Sequence, residues 1–388
     1  MAVGYSPPRY AGTSGARSAR NPATPWRRLD VVLIASVLCL AGTGILMVYS
    51  STRQQQLASG LDPQEYLRRQ ALFVVVGLAA MAVCVLVDYR TILVAAPALM
   101  AAAMLSLLVV LTPLGSSARG AQAWFALGPF NLQPSELAKV VVIIALAAYL
   151  SMHRGDIETP QILFTLGIVA VPLLLLYLQN DMGTGMVFVA VLMGVLLVAG
   201  AKPRHIAALT ALGVMGVVAI FQLGIVKEYQ LDRLAAFLDP AGEPERSSYN
   251  LRQSQIAIAA GGLTGRGVFQ GTQTNLSFVP EQHTDFIFTA VGEELGFVGA
   301  TTLLALLGLV MWRTWRAAAL AKDQFGSLLC VGVLSMLLFQ TFENIGMTMG
   351  ITPIVGIPLP FVSYGGSALV ACFAAVGLVL NVHMRRYS

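Results

Sequence analysis

Charge is what this chain has least of: 11% of its 388 residues are Asp, Glu, Lys or Arg, against about a quarter in soluble globular domains. So few charges cannot cover a water-facing surface, and a mean hydropathy of +0.74 excludes an ordinary soluble fold. Cysteine and histidine are also scarce, four of each. Cys39, Cys84, Cys330 and Cys372 all sit in apolar runs without metal or redox spacing, and they read as small core residues. The histidines are scattered, which argues against a His-based metal centre.

What is present is apolar sequence, 56% of the chain. Runs of roughly 20 residues, enough to cross about 30 Å of hydrocarbon, fall near 30–50, 71–87, 91–112, 136–150, 161–178, 184–200, 205–226, 285–311, 326–350 and 361–382. The expectation is an all-α polytopic membrane protein with about ten transmembrane helices and both termini on one side. The fourth to sixth runs are short or interrupted, so eight spans is the alternative. Residues 1–29, rich in Pro, Gly, Ser, Ala and Arg, cannot bury a core and are expected to be a disordered cytoplasmic tail. The run that follows is too long and too far along for a cleaved signal peptide. Residues 30–386 read as a single transmembrane domain, with 227–284 as a large extracytoplasmic loop. That loop is expected to hold an amphipathic helix from Lys227 to Leu238, a break at DPAGEP, and a second helix from near Ser247 and Ser248 to Gly261 and Gly262. A glycine-rich stretch follows, in which backbone can approach a ligand closely.

Short cytoplasmic loops accumulate Lys and Arg. With the N-terminus inside, 14 of the 24 basic residues fall on the cytoplasmic side: Arg9, Arg17, Arg20, Arg27, Arg28, Arg90, Arg154, Lys202, Arg204, Arg313, Arg316, Lys322, Arg385 and Arg386. Both termini are therefore expected in the cytoplasm, with the chain in the plasma membrane. Membrane lipid alone accounts for the net charge of +5, and no nucleic-acid partner is indicated.

Ionisable residues within spans are costly and tend to face protein or water at functional positions. By this topology Arg69, Glu136, Lys139, Asp181, Asp285 and Glu343 all lie toward one outer surface. Each has a plain alternative. Asp285 and Glu136 could serve only as first-turn carboxylates for helix dipoles, Asp285 with Thr284 as N-cap, and Lys139 could simply neutralise Glu136 one turn away. One of Glu293 and Glu294 reads as a buried structural acid. Six charges at one face favour an outward-facing polar cavity. The last outer loop, PIVGIPLPFVSYGGS at 353–367, resists regular helix. It is either a structural re-entrant turn or a ligand lining that presents Ser363 and Tyr364.

QPSELAK (133–139), the D-x-G-T core of QNDMGTG (179–185), GGLTGRGVFQGTQ (261–273), PEQHTDFIFTAVGEELGFVG (280–299) and NIGMTMGITPIVGIPLPFVSYGGS (344–367) follow one another in an order that resembles the SEDS family, the RodA/FtsW peptidoglycan glycosyltransferases. The likeness covers residues 30–386. YNLRQSQIAI (249–258) and GIPLPFVSYGG resemble the elongation branch, RodA, more than the division branch, FtsW. The resemblance implies polymerisation of lipid II, the undecaprenyl-pyrophosphate-linked disaccharide pentapeptide, at the outer membrane face, with a class B penicillin-binding protein as partner. It places the catalytic aspartate at Asp285 and substrate contacts at Arg69, Glu136, Lys139, Asp181 and Trp124. His283 and Thr284 beside the aspartate, and Ser363 and Tyr364, join them as substrate-binding candidates. Two departures stand out: the family's Arg-Trp is Ala123-Trp124 here, leaving Arg119 as a candidate replacement, and its Pro-Asp-Leu is Asn180-Asp181-Met182. The candidates for assisting the leaving group are Lys139, Arg69 or a bound divalent cation, Mg or Mn, the one cofactor considered.

Two other classes compete. A flippase for lipid-linked precursors would need polar residues through the bilayer midplane, whereas the charges here cluster at the outer end. A non-catalytic scaffold for a crosslinking enzyme would tolerate loss of the carboxylate.

Overall fold

The computed structural model describes residues 28–118, 121–127, 130–153, 157–222, 233, 237, 246–276, 278–279 and 281–386. Most of the tail, most of the expected 227–238 helix, the DPAGEP break and Arg119 lie outside the described residues. Within them the chain is mostly helical: α1 (Val31–Ala58), α2 (Glu65–Leu86), α3 (Tyr89–Val109), α4 (Pro134–Ser151), α5 (Thr159–Gln179), α6 (Met182–Ala199), α7 (Pro203–Gln222), α8 (Arg246–Gly261), the short α9 (Thr272–Asn275), α10 (Ile287–Ala319), α11 (Gln324–Met349) and α12 (Gly366–Arg385). Among the described residues nine helices are long and apolar enough to cross a membrane. They coincide with nine of the expected spans, and α7, 20 residues long, falls on the remaining one. The 113–135 loop departs from an all-helical reading. It folds into a small antiparallel sheet, β1 (Ser116–Ala118), β2 (Ala121–Leu127) and β3 (Phe130–Leu132) in that order, with Ser116 opposite Trp124 and Phe125 opposite Leu132. Aromatic residues at 124 and 125 suit a pleated surface better than a connector.

Short polar side chains start the helices. Asp30 accepts from Leu33 N at 3.1 Å, Asp88 from Arg90 N at 2.9 Å, Asp181 from Thr184 N at 3.2 Å and Asp323 from Gly326 N at 2.8 Å, each satisfying a donor the first turn leaves open. Asp30 is also gripped by two guanidinium nitrogens of Arg313, at 2.5 and 2.7 Å, which ties the start of α1 to the C-terminal end of α10. Helices α4, α11 and α12 are the most buried. The principal packed pairs are α2 with α12, α10 with α11, α11 with α6, α3 with α4, and α1 and α8 with α10. One cluster of buried apolar side chains runs from Leu33 to Met384.

The eighth span is not one helix. At Gly296 the backbone leaves helical geometry (φ 65°, ψ −163°), and the segment after α8 docks into the break. Arg266 N and Gly267 N donate to the carbonyls of Glu293 and Glu294, both at 3.0 Å. Phe297 N and Val298 N donate to the carbonyls of Gly262 and Leu263, at 2.9 and 3.1 Å. The approach is so close that a Cβ on Gly296 would fall 2.2 Å from Gly265 N. The two acids before the break are both buried, whereas one was expected. Glu293 accepts Gln273 N, Thr274 N and the hydroxyls of Thr272 and Thr274 at 2.7–3.3 Å, capping α9. Glu294 accepts Ser50 Oγ at 2.5 Å and Phe269 N at 3.2 Å. Glu293→Gln turns an amide N–H₂ toward groups that are all donors, and should cost about 1–3 kcal/mol, read as a fall in melting temperature in detergent.

The orientation is tested by labelling in a cysteine-free background. A cysteine at the exposed Leu276 should react with a membrane-impermeant thiol reagent applied to intact cells, and one at the exposed Ala319 should not. Reversed labelling would place the 246–286 region in the cytoplasm.

Candidate active site

Asp285 does not sit in the first turn of a helix. Residues 281–286 form successive turns in which Thr284 N, Asp285 N and Phe286 N all point at the Glu281 carbonyl at 3.1–3.3 Å, and regular helix begins only at Ile287. Thr284 is not the N-cap: that position is Phe286, and the Thr284 hydroxyl donates to Glu281 instead. The dipole-capping reading of Asp285 therefore fails, because the helix starts two residues later than the apolar run suggests. Asp285 is half-buried between Phe286 and the 353–365 segment.

That segment is laddered onto the aspartate loop. Asn344 on α11 uses one amide nitrogen to donate to Asp285 O at 2.8 Å and to Ile357 O at 2.7 Å. Tyr364 N donates to His283 O at 2.9 Å. Gly356, at φ +82°, passes so near that a Cβ there would lie 3.2 Å from Asp285 Oδ2. Phe361, buried against Phe373, takes φ +65°, a strained choice for a non-glycine residue of the kind that collects at functional sites. Ser363 and Tyr364 precede α12 and do not open it, and Ser363 Oγ accepts Leu359 N at 2.8 Å. The Tyr66, His283 and Tyr364 rings form a triangle with centroids 5.1–5.7 Å apart. Arg69 joins it, pairing with Glu65 one turn away on α2 and hydrogen-bonding Tyr364. Burial pushes the Tyr364 phenol above its ordinary pKa, and the Arg69 guanidinium opposes that shift.

A second cluster gathers at the start of α4. Lys139 Nζ and Glu136 Oε2 are 2.6 Å apart, and both side chains are almost wholly buried. Asp181, besides capping α6, accepts Gln133 Nε2 at 3.0 Å and Ser135 Oγ at 2.8 Å. Asn180 before it is left-handed at φ 61°. Proline, fixed near φ −65°, could not take that position, which accounts for one departure from the family pattern. Ser367, the second residue of α12, ties that helix to the start of α4, its hydroxyl accepting Gln133 N at 2.9 Å. Trp124 lies in β2 with its carbonyl accepting from Ser116 Oγ, beside the buried Ala123. Among the described residues no three His, Cys, Asp or Glu side chains could hold a metal ion together.

Sequence reasoning passed over Asn344, Gly356, Tyr66 and Gln70, the last donating to Ser363 O at 3.2 Å. A buried Asn within an apolar span was the signal for the first. The others become visible only once α2, α11 and the last outer loop are in contact.

A family model described as "Cell cycle protein", that of FtsW, RodA and SpoVE, matches residues 30–388. The chain belongs to this family, SEDS. It is 35% identical to a probable peptidoglycan glycosyltransferase FtsW of Geobacter metallireducens, over 92% of this chain and 95% of that one. It is 36% identical to the peptidoglycan glycosyltransferase MrdB of Escherichia coli, over 94% and 97%. A solved structure on the structural coordination of polymerization and crosslinking by a peptidoglycan synthase complex superposes with a TM-score of 0.79 at 32% identity, covering 94% of this chain and 100% of that one. The match to an FtsW is as strong as that to MrdB, so overall identity does not separate division from elongation.

The buried pair generates a test of what Lys139 does in this SEDS protein. Lys139→Met alone leaves an uncompensated buried carboxylate and should cost about 3–5 kcal/mol. Adding Glu136→Gln removes that charge and should recover the melting temperature. If Lys139 serves the leaving group, glycan synthesis stays lost in the double variant; recovered synthesis would make Lys139 only a structural partner.

Proposed function

We propose that this chain polymerises lipid II into glycan strands at the outer face of the plasma membrane, with Asp285 as general base and both termini in the cytoplasm. The observation that carries this reading is the junction at Asp285: its half-buried carboxylate meets the bare backbone of Gly356, where a reacting group can be held against it. Glu136 is paired with Lys139, Asp181 caps α6, and Glu293 and Glu294 hold the docked loop. The family membership supports the substrate class.

In the reaction proposed, an acceptor hydroxyl oxygen attacks the anomeric carbon of an α-linked donor sugar. Asp285 takes the hydroxyl proton as the new C–O bond forms. The bond from that carbon to the pyrophosphate breaks, its electron pair leaves on the pyrophosphate oxygen, and configuration inverts. Lys139 and Arg69 are assigned to balance the charge of the leaving group, and Tyr66, His283 and Tyr364 to line the approach. The resemblance of 249–258 and 356–366 to RodA supports a role in elongation, with division as the alternative. The synthase-complex relative supports a crosslinking partner, a class B penicillin-binding protein.

Purified protein in vesicles with labelled lipid II tests this. Asp285→Asn keeps size but cannot accept the proton, and should lower glycan synthesis about 10²–10⁴-fold with expression and partner binding intact. Product at the wild-type level would sink the assignment, and translocated lipid without glycan would point to a flippase.

A further inference from the structure

Asp285 lies outside regular helix, since α10 starts at Ile287; its main chain is held at the amide by the Glu281 carbonyl and at the carbonyl by the side chain of Asn344. Its Nδ2 carries two protons, and they go to two carbonyls from segments 72 residues apart, Asp285 O at 2.8 Å and Ile357 O at 2.7 Å. Asn344 is completely buried on α11, a helix among the most buried of the bundle, so its amide cannot swing without disturbing the core. Ile357 follows Gly356, the residue whose backbone faces Asp285 Oδ2. The tie therefore sets the gap between the carboxylate and its facing wall, and glycine at 356 keeps that gap open.

We propose that Asn344 is the positioning residue for Asp285, and that Gly356 is the residue whose missing side chain leaves space for the acceptor hydroxyl beside the carboxylate. This rests on the reading of Asp285 as the base. Neither residue exchanges a proton with substrate; they act through the geometry of Asp285. Misplacing a catalytic group by about 1 Å can cost roughly 10²-fold in rate, so modest loss of the tie should register in turnover well before it registers in binding.

The test uses the full chain in vesicles, with rates measured across lipid II concentrations and pH. Asn344→Asp keeps the shape but turns an acceptor oxygen toward two carbonyls. Gly356→Ala places a methyl against the carboxylate. Each should lower kcat by roughly 10²-fold with KM nearly unchanged, and should displace the base limb of the pH–rate profile. Gly60→Ala is the control for backbone strain, because Gly60 also has positive φ (+71°) but faces open space; it should leave rate and pH profile unchanged. Where Asn344→Asp fails to fold, Gly356→Ala carries the test alone. The proposal is overturned if Gly356→Ala behaves like Gly60→Ala, or if Asn344→Asp changes melting temperature without changing kcat. An inactive Asp285→Asn together with active Asn344 and Gly356 variants would reject this inference alone. An active Asp285→Asn would reject the base reading beneath it.

Discussion

Backbone that leaves helical geometry at membrane depth must find its hydrogen bonds in protein or water, and the half of this molecule that carries the Asp285 turn is organised around that requirement. The break at Gly296 exposes the carbonyls of Glu293 and Glu294 and the amides of Phe297 and Val298, and the 262–267 segment meets all four. Docking there needs close backbone approach at Gly265, where a Cβ would fall 2.1 Å from the Glu294 carbonyl, whereas Gly262 and Gly267 supply positive φ. The acid side chains on the same turn then reach back to hold the rest of the loop through Thr274 and Phe269. The long outer loop is thereby a structural extension of the eighth span, and the Asp285 turn is suspended between that unit and the last re-entrant segment.

Much of this was legible in the residues. Apolar run lengths located the helices because a bilayer sets a minimum span, and sparse charges located the site because each is expensive in that setting. What escaped was whatever depends on contacts between distant segments. The apolar run from 285 to 311 gives no sign of a break, since Gly296 sits among good helix formers and its geometry follows from the loop that packs on it. Thr284-Asp285 has the form of a helix start, yet the Glu281 carbonyl draws the chain into turns first. The 113–135 strands were hidden because strands this short carry too few alternating residues to read.

Asp181 illustrates how structural and functional readings overlap. Its carboxylate caps α6 and gathers Gln133 and Ser135 from α4, which is enough to explain an acid at that place. Yet the same bonds fix the first turn of α4, on which Glu136 and Lys139 stand. A buried ion pair gains little stability over apolar residues of the same volume, so folding alone does not call for one near the N-terminal end of α4.

Gly44 offers a last consequence. A Cβ there would fall 2.7 Å from the Val362 carbonyl, so α1 forms the seat for a segment made only after α11. The Asp285 turn, made in between, is completed only when residues 356–367 come to rest against α1 and α2. During synthesis the helices from α1 to α11 are therefore made before the site can assemble, and docking of that late segment is the step that closes it.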